Sequence, residues 1–237
     1  MPIHELATAI LLIVVPVAFN AAYFALASSF SYPDILRREP DEILRRFHAG
    51  GAGLVLRWEA LLLSALAMLP LVVLLAVTLE ATPALTALAV VSGAVAALVQ
   101  GLGLVRWPFA VPELARRYVD ADALPPAERA AAQQAIAMVF ATLHRLLGVG
   151  VGEHLGYMFT GLWTLVASVS VLTTTVVAGW LGWPGIVISI ALLVGTLEFV
   201  GPNERDGSKL AGAIVPIAYI GWSIWLIALG VALLLGG

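Results

Sequence analysis

The sequence predicts an all-α fold, a polytopic transmembrane helical bundle with six spans and two interfacial amphipathic helices. Hydrophobic residues make up 61% of the 237-residue chain and charged residues only 11%, whereas a soluble domain carries roughly a quarter charged residues. Several apolar stretches reach the length of about 20 residues that crosses the hydrocarbon core as a helix. A transmembrane β-barrel would instead show short segments in which apolar and polar residues alternate.

The first half of the chain alternates apolar spans with polar connections inside one predicted transmembrane domain, 1–237. Spans are predicted at about 6–30, 53–79 and 84–106, because each is an apolar run long enough to cross a bilayer. The tight linker Glu80-Ala-Thr-Pro83 turns the chain between the second and third of them.

A short interfacial helix is predicted at about 40–49, in the connection that follows the first span. Pro40 followed by acidic residues is typical of a helix start, and Gly50-Gly51 is typical of a helix end. Three apolar residues fall on one face of this helix: Ile43, Leu44 and Phe47. We therefore expect the helix to lie on the membrane surface.

A second interfacial helix is predicted at about 127–147, because an apolar stripe faces away from Gln134 and Arg145. The glycine-rich stretch 148–152 is expected to form a hinge. Glycines four residues apart also permit close packing against another helix. The alternative to both roles is a moving gate. Three further spans are predicted at about 153–178, 184–200 and 210–235.

The basic residues predict the orientation of the bundle. All 12 Lys and Arg residues fall within 31–57, 106–145 and 205–209. With six crossings, these three groups of basic residues lie on the same side of the membrane. The positive-inside rule makes that side cytoplasmic, with both termini outside. A seventh crossing through 128–151 is the alternative, but it would insert Arg residues at about 2.5–3.5 kcal/mol each.

With six crossings, ionisable and polar residues gather near the cytoplasmic ends of the helices. The candidate ligand-binding residues are Arg57, Glu59, Arg106, His144, Arg145, Glu153, His154, Tyr157 and Glu198. Charge within a membrane is costly unless it is paired or hydrated, so this cluster is a candidate functional site. The alternative is that these side chains reach water or pair only to fix helix positions.

A metal site is a further hypothesis for part of this cluster. His144, Glu153 and His154 can supply three N/O ligands and leave a fourth position open. However, their spacing matches no zinc signature, and two neighbouring residues point about 100° apart on a helix. Haem held by both histidines would require a sharp fold at the hinge. We therefore expect no cofactor, and we assign no catalytic residue.

Three stretches resemble a widespread family of uncharacterised bacterial membrane proteins that share a domain of unknown function. They are Gly103-Leu-Val-Arg-Trp-Pro-Phe-Ala-Val-Pro112, Leu143-His-Arg-Leu-Leu-Gly-Val-Gly-Val-Gly-Glu-His-Leu-Gly-Tyr157 and Gly221-Trp-Ser-Ile-Trp-Leu226. The resemblance implies a multispan protein of the bacterial inner membrane with no established activity. It supplies no catalytic residue.

The functional expectation is a non-enzymatic protein, or complex subunit, that binds a lipid or small amphiphile in the cytoplasmic leaflet. One alternative is a small proton- or ion-coupled transporter or channel that uses Glu153, His154 and Glu198. Another is a His-liganded metal or haem membrane protein. The expected partners are membrane lipids, other membrane subunits or a second copy of the chain, while a net charge of −3 gives no reason to expect nucleic acid.

Overall fold

The computed structural model describes residues 1–236, and within them the chain is helical with no β-strand. The α-helices are α1 (Ile3–Phe30), α2 (Pro40–Leu66), α3 (Met68–Thr78), α4 (Pro83–Leu104), α5 (Arg106–Asp120), α6 (Pro126–Leu143), α7 (Gly156–Thr173), α8 (Gly182–Gly195) and α9 (Lys209–Leu235). A π-helix, His144–Leu155, joins α6 to α7, and a short 3-10 helix, Asp34–Arg37, lies between α1 and α2. The predicted all-α fold is confirmed.

The helices form a multi-pass membrane protein. Among the described residues, five stretches are long and apolar enough to cross a bilayer: Ile3–Phe30, Pro40–Thr78, Pro83–Ala123, Pro126–Thr173 and Lys209–Leu235. The stretch Gly179–Gly195 is shorter but also apolar. The 48 residues of Pro126–Thr173 extend about 72 Å as a helix, more than twice the ~30 Å hydrocarbon core. The first part of this stretch, α6, therefore extends beyond the core. The 3-10 turn Ala121–Ala123 connects it to α5.

The predicted interfacial helix at 40–49 is the first part of α2, which continues after a kink. Gly51 has φ 53° and ψ −153° inside this helix, a backbone conformation that favours glycine. The predicted helix end is thus a change of direction. Ile43, Leu44 and Phe47 are buried inside the protein, where the Phe47 ring stacks on that of Trp107. The apolar face therefore contacts the protein core instead of lipid.

The predicted hinge at 148–152 does not form. The π-helix continues α6 into α7 without a turn, so the predicted 127–147 helix and the fourth span are one long helix. A Cβ atom on Gly103 would lie 2.6 Å from the Cα atom of Gly152. The two backbones meet at this point, which confirms close packing as the role of the glycines.

The connections separate into two ends of the bundle. At one end, ion pairs tie the chain together between Arg37 and Glu153 and between Arg45 and Asp122. At the other end, the hydroxyls of Thr8 and Thr78 form a buried hydrogen bond of 2.8 Å. The predicted fifth span, 184–200, corresponds to α8, which ends at Gly195 and leaves Glu198 in the following turn.

Candidate functional site

A cavity of about 300 Å³ lies between α1, α9, the start of α5, the π-helix and the segment 31–39. Its volume is at the small end of the range for ligand-binding pockets. Aromatic side chains form much of its wall: Tyr23, Tyr32, Trp58, Trp107, Tyr157 and Tyr219. The polar lining includes two arginines and two glutamates, so the cavity combines apolar walls with a small number of charged groups.

Stacked indole rings make the wall beside α2 and α5 rigid. The rings of Trp58 and Trp107 lie parallel, with centroids 4.3 Å apart and an interplanar angle of 6°. Tyr32 meets the Trp58 ring edge-on at 5.2 Å, and Phe30 packs edge-on against both indoles. Aromatic pairs of this kind fix side-chain positions beyond what burial alone achieves.

Arg106 is the buried cation of the cavity. It begins α5 directly after the bend that follows α4, and only 5% of its surface is exposed. Its Nη1 atom donates to the carbonyl of Gly103, and its guanidinium lies 5.2 Å from the centre of the Trp107 ring. A Cβ atom on Gly148 would lie 2.6 Å from Nη2, so the glycine of the π-helix makes room for the side chain.

Two buried donors in this cavity have no acceptor. Within residues 1–236, Nε of Arg106 and Nε1 of Trp58 form no hydrogen bond, and Arg106 forms no ion pair. Trp58 is fully buried at 0% exposure. Guanidinium and indole N–H groups can only donate, and leaving buried donors unpaired is costly. An oxygen-bearing group placed against these two N–H groups would satisfy them.

Arg37 holds two carboxylates at the cavity edge. Its Nη2 and Nη1 atoms lie 2.9 and 3.4 Å from the two oxygens of Glu153, and Nη2 lies 3.9 Å from Glu198. The guanidinium also stands 4.6 Å over the Phe199 ring. Burial lowers the pKa of Arg37, but Glu153 and Glu198 more than offset this and raise it. Burial, together with the charge of Glu153, raises the pKa of Glu198 despite Arg37.

Comparison with protein families assigns the chain by sequence. The model of the family described as Domain of unknown function (DUF4386) matches residues 7–230. The chain belongs to this family. The match includes the three stretches that carry the resemblance, which is thereby confirmed. Comparisons with curated proteins and with solved structures give no match.

Four of the predicted site residues of this DUF4386 chain line the cavity: Arg106, Glu153, Tyr157 and Glu198. The structure places the other five elsewhere. Arg57 is exposed and Glu59 half-buried on α2, outside the cavity lining. Arg145 donates to the carbonyl of Glu204.

The two histidines bind to different parts of the backbone. Nε2 of His144 lies 3.0 Å from the carbonyl of Leu36, and Nδ1 of His154 lies 2.8 Å from the carbonyl of Thr196. The residues from 1 to 236 contain no group of three His, Asp or Glu side chains that could hold a metal. This corrects the metal hypothesis for His144, Glu153 and His154. The metal hypothesis needs a hinge at 148–152 to bring the three side chains together, and the chain forms a continuous helix there.

Several lining residues were not predicted from the sequence. Arg37 is the most important, and its only signal was its place in a basic pair near Pro33. The sequence places Trp58 and Trp107 near span ends but does not predict that their rings stack. Asn20, deep in α1, donates at 2.9 Å to Ser223 of α9. This bond joins two helices far apart in sequence, so no local pattern reveals it.

Proposed function

We propose that this protein binds an amphiphile with an anionic group, in the cytoplasmic leaflet of the bacterial inner membrane. The observation that carries the proposal is the pair of buried donors without acceptors, on Arg106 and Trp58, in one aromatic-walled cavity. A bound carboxylate or phosphate group would supply acceptor oxygens for these donors. The apolar part of the ligand would lie against the aromatic wall, and no bond of the ligand needs to be broken.

The charges of the cavity favour an anion at Arg106 in particular. Arg37 contacts both Glu153 and Glu198, whereas no carboxylate of the described residues forms an ion pair with Arg106. A buried cation without a partner is strongly unfavourable. Hydrogen bonds to a charged group contribute about 1.5–3 kcal/mol each, so an anion at this position gains a large part of its affinity from Arg106.

The basic residues support the cytoplasmic leaflet as the location. The ion-paired end of the bundle carries Arg37, Arg45 and Arg145, and a positively charged end faces the cytoplasm. The cavity opens toward this end, since Arg37 and Glu198 are part of its lining. With this orientation, six crossings would put both termini outside.

The test is to identify what the protein retains when it is purified from its own membrane. Native mass spectrometry is applied to the wild type, to Arg106→Gln and to Arg57→Gln. The third is a matched control, because Arg57 is an exposed arginine outside the cavity. We expect an anionic amphiphile on the wild type and the control, with about 10–100-fold weaker binding in Arg106→Gln.

Trp58→Phe is a second variant that keeps an aromatic ring but removes the unpaired N–H. We expect it to weaken binding about tenfold while leaving the bound species the same. Retention of the same ligand, at the same occupancy, by folded Arg106→Gln and Trp58→Phe proteins would refute the proposal. So would recovery of uncharged molecules only.

Proton-coupled transport of the same anion is a second candidate function. It is favoured by the sharing of one guanidinium between Glu153 and Glu198, because a bound anion adds negative charge beside them. Proton uptake by one carboxyl group would neutralise that charge. Anion-dependent proton uptake in liposomes that is abolished in Glu198→Gln would establish transport, and its absence would leave binding as the function.

A further inference from the structure

The cavity has a side that faces away from the protein. Phe24 of α1 is 66% exposed and Ile220 of α9 is 58% exposed, yet both contribute to the cavity lining. Pro216, one helical turn before Ile220, is likewise both exposed and part of the lining. On a helix that spans a membrane, exposed apolar side chains face lipid. The cavity therefore reaches the lipid-facing surface between α1 and α9.

The gap between these two helices has a defined extent. A Cβ atom on Gly230 would lie 2.8 Å from the carbonyl of Ala9, so the helices touch closely at one end. The hydrogen bond from Asn20 to Ser223 joins them again nearer the middle. Between that bond and the ion-paired end, residues of both helices line the cavity. The Asn20–Ser223 bond therefore marks the end of the gap that is farther from the ion-paired end.

The aqueous side of the cavity is occupied by an ion-paired group. Glu153 and Glu198 stand at that side, held by Arg37. A ligand that comes from water meets this ion-paired group, whereas the residues of α1 and α9 that line the cavity carry no charge. An amphiphile in the bilayer can place its chain in this gap without leaving the hydrocarbon.

We propose that the ligand enters sideways from the bilayer between α1 and α9, and that it is a single-chain anionic amphiphile. This inference rests on the proposed function and names the ligand class and its route. A cavity of about 300 Å³ accommodates a carboxylate or phosphate group and the first part of one acyl chain. The remainder of the chain stays in the gap beside Phe24 and Ile220, in contact with lipid.

The experiment uses a long-chain fatty acid brominated near its carboxyl group, added to liposomes that contain the full-length protein. Bromine quenches nearby tryptophans, and the part of the quenching that is lost in Trp58→Phe reports ligand in the cavity. The matched brominated alcohol has the same chain without the charge. We expect quenching by the acid, little by the alcohol, and loss of the acid's effect in Arg106→Gln.

The route is tested by blocking the gap with a bulky maleimide at a single introduced cysteine. The chain has no native cysteine, so labelling is specific. Ile220→Cys places the label at the gap, and Ile224→Cys places it one turn away, at a position that is 63% exposed and outside the lining. Both residues are largely exposed, so neither substitution removes core packing.

The labelled Ile220→Cys protein is expected to lose the Trp58-dependent quenching, and the labelled Ile224→Cys protein to keep it. Equal quenching in both labelled proteins, still dependent on Arg106, would overturn the lateral route while the binding function stands. Quenching that is independent of Arg106 in every protein would overturn the proposed function itself.

Discussion

Gly103→Ala tests the close backbone contact between α4 and the π-helix. The added Cβ atom would lie 2.6 Å from the Cα atom of Gly152, 3.0 Å from the carbonyl oxygen of Leu147 and 3.1 Å from the nitrogen of Gly152. All three atoms belong to backbone, so no side-chain rotation relieves the overlap. Carbon atoms pack best at about 3.5–4.0 Å. The helices must therefore separate by about 1 Å.

The expected loss of stability comes from comparison with Gly150, a glycine of the π-helix that Gly103 contacts. A Cβ atom on Gly150 would lie 3.7 Å from its nearest neighbour, the carbonyl oxygen of Arg145, which is an ordinary contact. Both substitutions gain the same preference of alanine over glycine in helices. The free energies of unfolding of the two variants should therefore differ by the overpacking cost of Gly103→Ala, about 1–3 kcal/mol. Gly152→Ala, with its closest atoms at 3.2 Å, should fall between the two.

The assay is equilibrium unfolding in mixed micelles, followed by tryptophan fluorescence. We expect the free energy of unfolding to rank Gly150→Ala highest, then Gly152→Ala, then Gly103→Ala. Agreement of the Gly103→Ala and Gly150→Ala values within about 0.5 kcal/mol, the size of an ordinary surface effect, would refute the close contact between α4 and the π-helix.

Two further predictions concern the two ends of the bundle. The pKa of Glu198 is raised above its ordinary 4.5, first by burial and then by Glu153. Its contribution to stability is therefore fully present below pH 4.5 and is lost as the pH rises through the raised folded-state pKa. Glu198→Gln should match the wild-type melting temperature near pH 4 and exceed it near pH 7; a lower value at neutral pH would contradict the shift. Thr8→Val breaks the bond to Thr78 and should cost about 0.6–1.7 kcal/mol in unfolding titrations. The double variant with Thr78→Val should recover part of that loss, because no buried hydroxyl is left without its partner; a double variant as unstable as the sum of both single variants would contradict the bond.

The sequence predicts the spans because the bilayer imposes length and hydropathy on every crossing. It also predicts Arg106 and Glu153 as site residues, since charges near helix ends stand out in an apolar chain. The sequence does not predict Arg37 as a site residue, because its contacts depend on how the segment 31–39 packs against the π-helix and the turn after α8. The sequence predicts a hinge where the structure has the π-helix, because a run of glycines permits both a turn and a close helix contact.

The bond between Asn20 and Ser223 spans 203 residues of sequence. A ribosome that adds about 5–20 residues per second needs about 10–40 seconds to make the residues between them. The Asn20 amide has a second acceptor, the carbonyl of Pro16 in its own helix, at 2.7 Å. One of its two N–H groups is therefore satisfied from the moment α1 enters the membrane. The part of the cavity wall that α9 contributes is added only when α9 has been synthesised, so the cavity is complete only late in translation.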